Sequence, residues 1–200
     1  MIKPGKVKIK LIGRLLSRIL LFPKYILKLV FRFDSWHVSS HKNREYSQFI
    51  VDYYDFKGLN VLEVGCGLGD TLNRIDARSK YGLDFDKGAI RAAKLLLFWK
   101  KIDFIWGNVF ELVSFPSVDC VIKLNFLHGY PSTEVRELML RIFSKDSNID
   151  FLICDGVNLP GYQFAHDFTR MKLGKALKVT LIADLGTGRI LYEIRRIKKE

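Results

Sequence analysis

The chain's most chemically informative stretch is Val61-Leu62-Glu63-Val64-Gly65-Cys66-Gly67-Leu68-Gly69-Asp70. An apolar run leads straight into three glycines at alternate positions, with an acid two residues ahead of the first. Glycines placed there let main chain approach a ligand that side chains would hold away. Nineteen residues after Gly65, the run Tyr81-Gly82-Leu83 ends in Asp84. A carboxylate at the end of the next strand can accept hydrogen bonds from both hydroxyls of a ribose, so glycines and acid together point to a nucleoside-containing ligand. Two plainer readings compete: the glycines as a tight turn, and Asp84 as the cap of a helix starting near Lys87. Asp86, two residues on, is the alternative ribose partner.

Positioning these groups requires strands that end together. Short β-rich runs alternate with helical stretches from Asp34 onward, which predicts an α/β fold. The expected strands are Asn60 to Val64, Lys80 to Leu83, Asp103 to Trp106, Val118 to Leu124, Asp150 to Cys154, Lys178 to Ala183 and Ile190 to Ile197. Helices are expected over Leu68 to Asp76, Lys87 to Trp99 and Thr133 to Phe143. Gly186 and Gly188 separate the last two strands, which read as an antiparallel hairpin. The fold class is therefore a seven-stranded, mostly parallel sheet with an antiparallel C-terminal hairpin and helices on both faces.

Composition bounds the rest. The chain has 200 residues, 48% hydrophobic and 27% charged, which suits one globular domain and excludes disordered, collagenous and disulfide-scaffold classes. Cys66, Cys120 and Cys154 are odd in number and far apart, so a reducing cytoplasmic setting is expected, without a zinc knuckle. The net charge of +12 is uneven: residues 1–33 carry nine Lys or Arg and no acid, whereas residues 34–200 hold 24 basic and 21 acidic residues. Residues 1–33 read as a basic amphipathic leader of two helices broken at Pro23, and residues 34–200 as the globular domain. Charges never more than about five residues apart argue against a transmembrane helix. Peripheral contact with an anionic membrane surface is one expectation for the leader, and packing against the domain or a partner subunit is the other. Every expected ligand-binding residue lies beyond Lys57, so the leader is expected to stand outside the ligand site.

From roughly Lys57 to Ile197, the sequence resembles the class I S-adenosylmethionine-dependent methyltransferases, in particular the small-molecule type. Glu63, Gly65, Gly67 and Gly69 match the family's acid followed by Gly-x-Gly-x-Gly, distinct from the Gly-x-Gly-x-x-Gly of dinucleotide enzymes. The resemblance implies S-adenosyl-L-methionine as cofactor, its amino-acid part near the glycine loop and its ribose at Asp84. The family's third strand usually ends in Gly-Asp, whose carboxylate meets the adenine amino group. Here it is Gly107-Asn108, and the Asn108 carbonyl can accept the same bond without charge. The fourth strand and its sequel, Asp119 to Pro131, resemble members with a His soon after that strand, which makes His128 the expected base. The Pro-Pro-aromatic motif of amino-methyltransferases and the Pro-Cys of cytosine enzymes are missing there.

Because the cofactor carries the activated carbon, the protein's main task is alignment and exclusion of water. Tyr130, Asp155 and His166 are the other candidates for proton handling, and the bland reading of His128 is packing beside the cofactor. The cluster Trp36 to Tyr46 reads as a lid over the cofactor or an anchor for the leader. Gly161 to Phe168 reads as aromatic cover for substrate rather than a metal site, since His166 and Asp167 lack further ligands at fixed spacing. The expected activity is methyl transfer to a small-molecule or lipid- or glycan-linked acceptor. The alternatives are an RNA methyltransferase, with nucleic acid the less favoured partner, and a non-catalytic cofactor-binding scaffold.

Overall fold

The computed structural model describes residues 23–39, 44–112, 117–144 and 147–197. Seven strands form one sheet: β1 (Asn60–Val64), β2 (Ser79–Asp84), β3 (Asp103–Trp106), β4 (Cys120–Lys123), β5 (Phe151–Val157), β6 (Leu177–Asp184) and β7 (Arg189–Arg196). Their spatial order is β3-β2-β1-β4-β5-β7-β6. Strands β1 to β5 pair in parallel, and β7 runs antiparallel to both β5 and β6. The order reverses between β1 and β4, and ligands of such sheets bind outside the carboxyl ends at that switch point.

Burial on both faces explains why the central strands are so apolar. Leu62, Val121 and Leu152 pack on one face beneath Val135, Leu138, Met139 and Ile142 of helix α4 (Ser132–Ile142). Val61, Ile122 and Ile153 pack on the other, against Ile50 of α2 (Glu45–Tyr53) and Ile90 and Ala93 of α3 (Lys87–Leu96). Alternate residues of each strand thus serve two cores.

All seven expected strands are present. The expected helix Leu68 to Asp76 is not: residues 67–74 form successive turns instead. The bonds Asn73 N–Gly69 O (2.9 Å) and Ile75 N–Thr71 O (3.3 Å) are interrupted by the tighter Arg74 N–Thr71 O (2.9 Å). Gly69, at φ 74°, takes the conformation only glycine adopts freely, and a Cβ there would lie 2.7 Å from Phe104. No regular helix dipole therefore points at the glycine loop.

The first expected leader helix lies outside the described residues. The second is observed as α1 over residues 23–31. It packs on the domain: Phe33 is buried with Ala89 and Ala92 of α3, with Leu27 and Phe31 against the same cluster. Among the described residues no helix is long and apolar enough to cross a membrane.

Candidate active site

Asp84 closes β2 with its side chain buried beside the glycine loop. Its Oδ2 accepts from Gly67 N (2.7 Å) and its Oδ1 from Asp86 N (2.9 Å). The carboxylate therefore fastens the loop, and each oxygen keeps a lone pair for a ligand hydroxyl. The helix cap considered for Asp84 belongs to Asp86, whose Oδ1 accepts from Ala89 N (3.0 Å) at the start of α3. Its Oδ2 accepts from Asp34 N (3.2 Å), so Asp86 also ties the N-terminal segment to the domain.

Gly65, Gly67 and Gly69 all have positive φ, and close approach adds a second constraint at the first two as it does at Gly69. A Cβ on Gly65 would lie 2.9 Å from the Phe126 ring, and one on Gly67 2.6 Å from His37 Nδ1. The loop thus passes between β4's exit and the N-terminal segment. A cavity of about 300 Å³ opens over it, lined by Glu63, Gly65, Gly67, Thr71, Asp84, Asp86 and Phe126, and roofed by Trp36, His37, Arg44 and Tyr46. Glu63 Oε2 is buried there without a partner among the described residues. Burial pushes the Glu63 carboxyl up to about 8, against the opposing pull of a hydrogen bond from Thr71 and of the Arg44 charge. A cation entering the cavity would meet an acceptor oxygen that the protein leaves unused.

Asn108 follows β3 in a narrow cleft shared with Asp84, Phe85, Val109 and Phe126. Its Oδ1 accepts from Phe110 N (3.0 Å), and its Nδ2 donates to Glu111 Oε1 (2.9 Å). The amide is oriented by its own turn, with one carbonyl lone pair left over. Beneath Phe126 lies Lys123 of β4, fully buried, its Nζ 4.2 Å from the ring centre. Burial lowers this amine well below its usual range.

The expected base is placed differently from the cofactor residues. His128 sits in the 3-10 turn Leu127–Gly129 and packs edge-on against Tyr162, ring centres 4.3 Å apart. It is absent from the lining of the cavity over the glycines and of the one beside it. Burial, with the Arg189 charge nearby, lowers its imidazole to about 4. His166 bonds Leu127 O (3.0 Å) and Ser132 Oγ (3.2 Å), and so joins the turn to α4. Tyr130 stacks on Phe126 and Phe110.

The second cavity, about 250 Å³, is lined by Trp36, Ser39, Arg44, Glu45, Tyr46, Asn125, Tyr162, Leu185, Thr187 and Arg189. Trp36, Arg44, Tyr46 and Asn125 line both cavities and form a common wall. Asn125 and Arg189 escaped the sequence reading. Asn125 follows β4 by two residues at φ 55°, a conformation in which Asn is enriched among non-glycine residues, and Arg189 opens β7 more than 60 residues away. The buried Asp155 carboxylate joins them: its Oδ2 pairs with Arg189, and its Oδ1 accepts from Asn125 N (2.8 Å).

The model of a methyltransferase-domain family matches residues 62–158, from β1 through β5. Over those residues the chain is similar to a methyltransferase domain. The residues present would fit S-adenosylmethionine in a cradle of glycines, a buried ribose-level carboxylate and the Glu63 oxygen that has no partner among the described residues. Among solved structures, a magnesium protoporphyrin IX methyltransferase from Synechocystis with bound cofactor is 19% identical. It aligns over 78% of each chain with a TM-score of 0.59. A mitomycin 7-O-methyltransferase is 18% identical over 76% of this chain and 53% of its own, TM-score 0.60. A small RNA methyltransferase is 18% identical over 78% of this chain and 25% of its own, TM-score 0.63. These likenesses establish the fold of this chain. None of the curated proteins matches the chain.

Among the described residues none before Asp34 lines either cavity, although the leader touches the chain just after the glycine loop. Lys24 of α1 is buried with its Nζ 2.7 and 2.9 Å from the Asp70 carboxylate oxygens, directly after Gly69. Arg44 Nη1 lies 4.0 Å from the same carboxylate, and its Nε donates to Ser39 Oγ (2.8 Å).

Proposed function

We propose that the protein is a methyltransferase that acts on a small-molecule or lipid-linked acceptor seated in the second cavity, with S-adenosylmethionine as its cofactor in the first. The observation that carries this reading is the common wall of Trp36, Arg44, Tyr46 and Asn125, which puts two open clefts side by side at the carboxyl ends of the strands. When bound, S-adenosylmethionine supplies a methyl carbon activated by its sulfonium. Glu63 and the glycine loop hold the amino-acid end, Asp84 the ribose, and Asn108 and Phe85 flank the adenine. The aromatic wall orients the acceptor and excludes water, which by itself accounts for much of the barrier in a bimolecular displacement.

The N-terminal segment supports a peripheral membrane setting within the same proposal. The outward face of α1 exposes Tyr25, Ile26, Leu29 and Val30, and the first 33 residues hold nine positive charges and no acid. Each Lys or Arg near an anionic surface contributes about 1 kcal/mol, to which burial of that apolar face adds. Flotation with anionic and neutral vesicles tests this part, and salt-sensitive binding to the anionic vesicles is expected.

Incubation of cell extract with isotopically labelled S-adenosylmethionine, read by mass spectrometry, tests the activity. A labelled small molecule or lipid is expected; label confined to RNA overturns the acceptor class.

A further inference from the structure

Hydrogen-bond polarity distinguishes the second cavity from an amine-binding site. Asn125 Oδ1 accepts from Arg189 Nη2 (2.6 Å) and from the Tyr162 hydroxyl (3.3 Å). Two donors on one carbonyl oxygen fix which end of the amide is oxygen and occupy its two lone pairs. The Asn125 Nδ2 group, with two N–H donors, is the end left for a ligand. Arg189 spends two of its five N–H groups on Asp155 and Asn125 and lies over the Tyr46 ring, 4.3 Å from its centre. Arg44 stands on the common wall. The one acid among the lining residues is Glu45, exposed on the first turn of α2. Asn125 Nδ2, Arg44 and Arg189 offer donors and positive charge to an incoming group, the hydroxyls of Ser39, Tyr46, Tyr162 and Thr187 can donate or accept, and the buried acceptor Asn125 Oδ1 is already used.

Resting on the proposed function, we infer that the methyl acceptor presents an anionic oxygen, a carboxylate or a phosphate, to the Asn125 amide and the Arg44 and Arg189 guanidiniums. An amine or ammonium acceptor would bring N–H donors and positive charge up to Asn125 Nδ2, Arg44 and Arg189, and would leave those donors unpaired. Methyl transfer to such an oxygen balances without a base. A lone pair of the oxygen forms the bond to the methyl carbon, the carbon–sulfur pair leaves with sulfur, and the negative oxygen and positive sulfonium both become neutral. No proton is removed, which agrees with the position of His128 outside both cavities.

The experiment uses the full chain saturated with S-adenosylhomocysteine, with binding of that ligand first verified by calorimetry. Saturation-transfer NMR then compares benzoate, phenyl phosphate and benzylamine. Benzoate or phenyl phosphate is expected to bind at least about tenfold more tightly than benzylamine, a difference of about 1.4 kcal/mol, and the preferred anion separates the carboxylate source from the phosphate one. Asn125→Asp keeps the oxygen that Arg189 and Tyr162 bond and replaces only the free donors by negative charge. It is expected to weaken the preferred anion by about tenfold or more, beyond any change in S-adenosylhomocysteine affinity. Benzylamine binding as well as the anions, no anion binding up to the solubility limit, or an Asn125→Asp protein with unchanged anion binding would each overturn the inference. Failure of S-adenosylhomocysteine to bind would instead strike the functional reading beneath it.

Discussion

The two cavities are built from different kinds of sequence. The cofactor cavity takes its floor from one continuous stretch, Glu63 to Asp86, in which backbone amides and two strand-end carboxylates do most of the holding. The acceptor cavity is assembled from residues 36 to 46, Asn125, Tyr162 and the hairpin at 185 to 189, which meet only when β7 inserts beside β5. A cofactor common to many reactions can be gripped by a local motif. A particular acceptor has to be gripped by side chains brought from afar. Substitutions at the acceptor end should therefore disturb the fold as well as the chemistry, whereas those at the cofactor end should mainly disturb binding.

Arg189→Met gives the largest expected effect, because it leaves the buried Asp155 carboxylate unpaired. Breaking one side of a buried pair costs about 3 to 5 kcal/mol, which urea unfolding would show as a lower midpoint. An unchanged midpoint would erase the contrast between the two ends. At the cofactor end, Asp84→Ala removes two acceptor oxygens and releases Gly67 N. Calorimetry should find S-adenosylhomocysteine bound about a hundredfold more weakly, from hydrogen bonds to a charged group at about 1.5 to 3 kcal/mol each.

Lys24→Ala sharpens the comparison by probing a distant side chain that serves the local motif. Losing the partner of Asp70 should weaken cofactor binding by roughly tenfold, about 1.4 kcal/mol. A chain starting at Asp34 should lose as much, together with the packing of Phe33.

Glu63 sets a pH dependence. With its carboxyl at about 8, the folded protein without ligand holds a proton that the unfolded chain releases near the ordinary carboxylate value. Glu63 therefore takes stability away as pH rises from about 4.5 towards 8. The cofactor's ammonium favours the ionised form, so affinity for S-adenosylhomocysteine should rise several-fold between about pH 6 and 8, with proton release measurable in buffers of different ionisation enthalpy. His128 has the opposite sign: its folded value near 4 lies below its ordinary one, so its contribution to stability is lost as pH falls from about 6.5 towards 4. The smallest expected effect is that of His128→Ala on turnover, less than about threefold, where loss of a general base would give 10² to 10⁴. A hundredfold loss would return the imidazole to the chemistry.

The strands and the cofactor floor were legible because each depends on residues adjacent in sequence: β1 and β3 begin and end where the apolar runs do. The turn region after Gly69 was misread as helix because the apolar spacing of Leu68, Leu72 and Ile75 is helical, although Gly69 takes a left-handed conformation and a Cβ there would meet Phe104 and Leu97. Asn125 and Arg189 were illegible for another reason. Nothing near either residue signals that a left-handed residue just past a strand and the first residue of a hairpin strand will share one buried carboxylate. His128 drew attention by its type and position, and both describe its backbone better than its side chain, which turns to Tyr162.

The ion pair between Lys24 and Asp70 also constrains the order of biosynthesis. A ribosome adds about 5 to 20 residues per second, so the 46 positions between the two take roughly 2 to 9 seconds to make. During that interval α1 has been made, with Lys24, Leu27 and Phe31 destined for burial, while the loop and α3 that receive them are still to come. The nascent chain therefore presents a cationic, apolar segment before its own docking surface exists, and whatever holds that segment in the meantime must let go before the roof of the cofactor cavity can close.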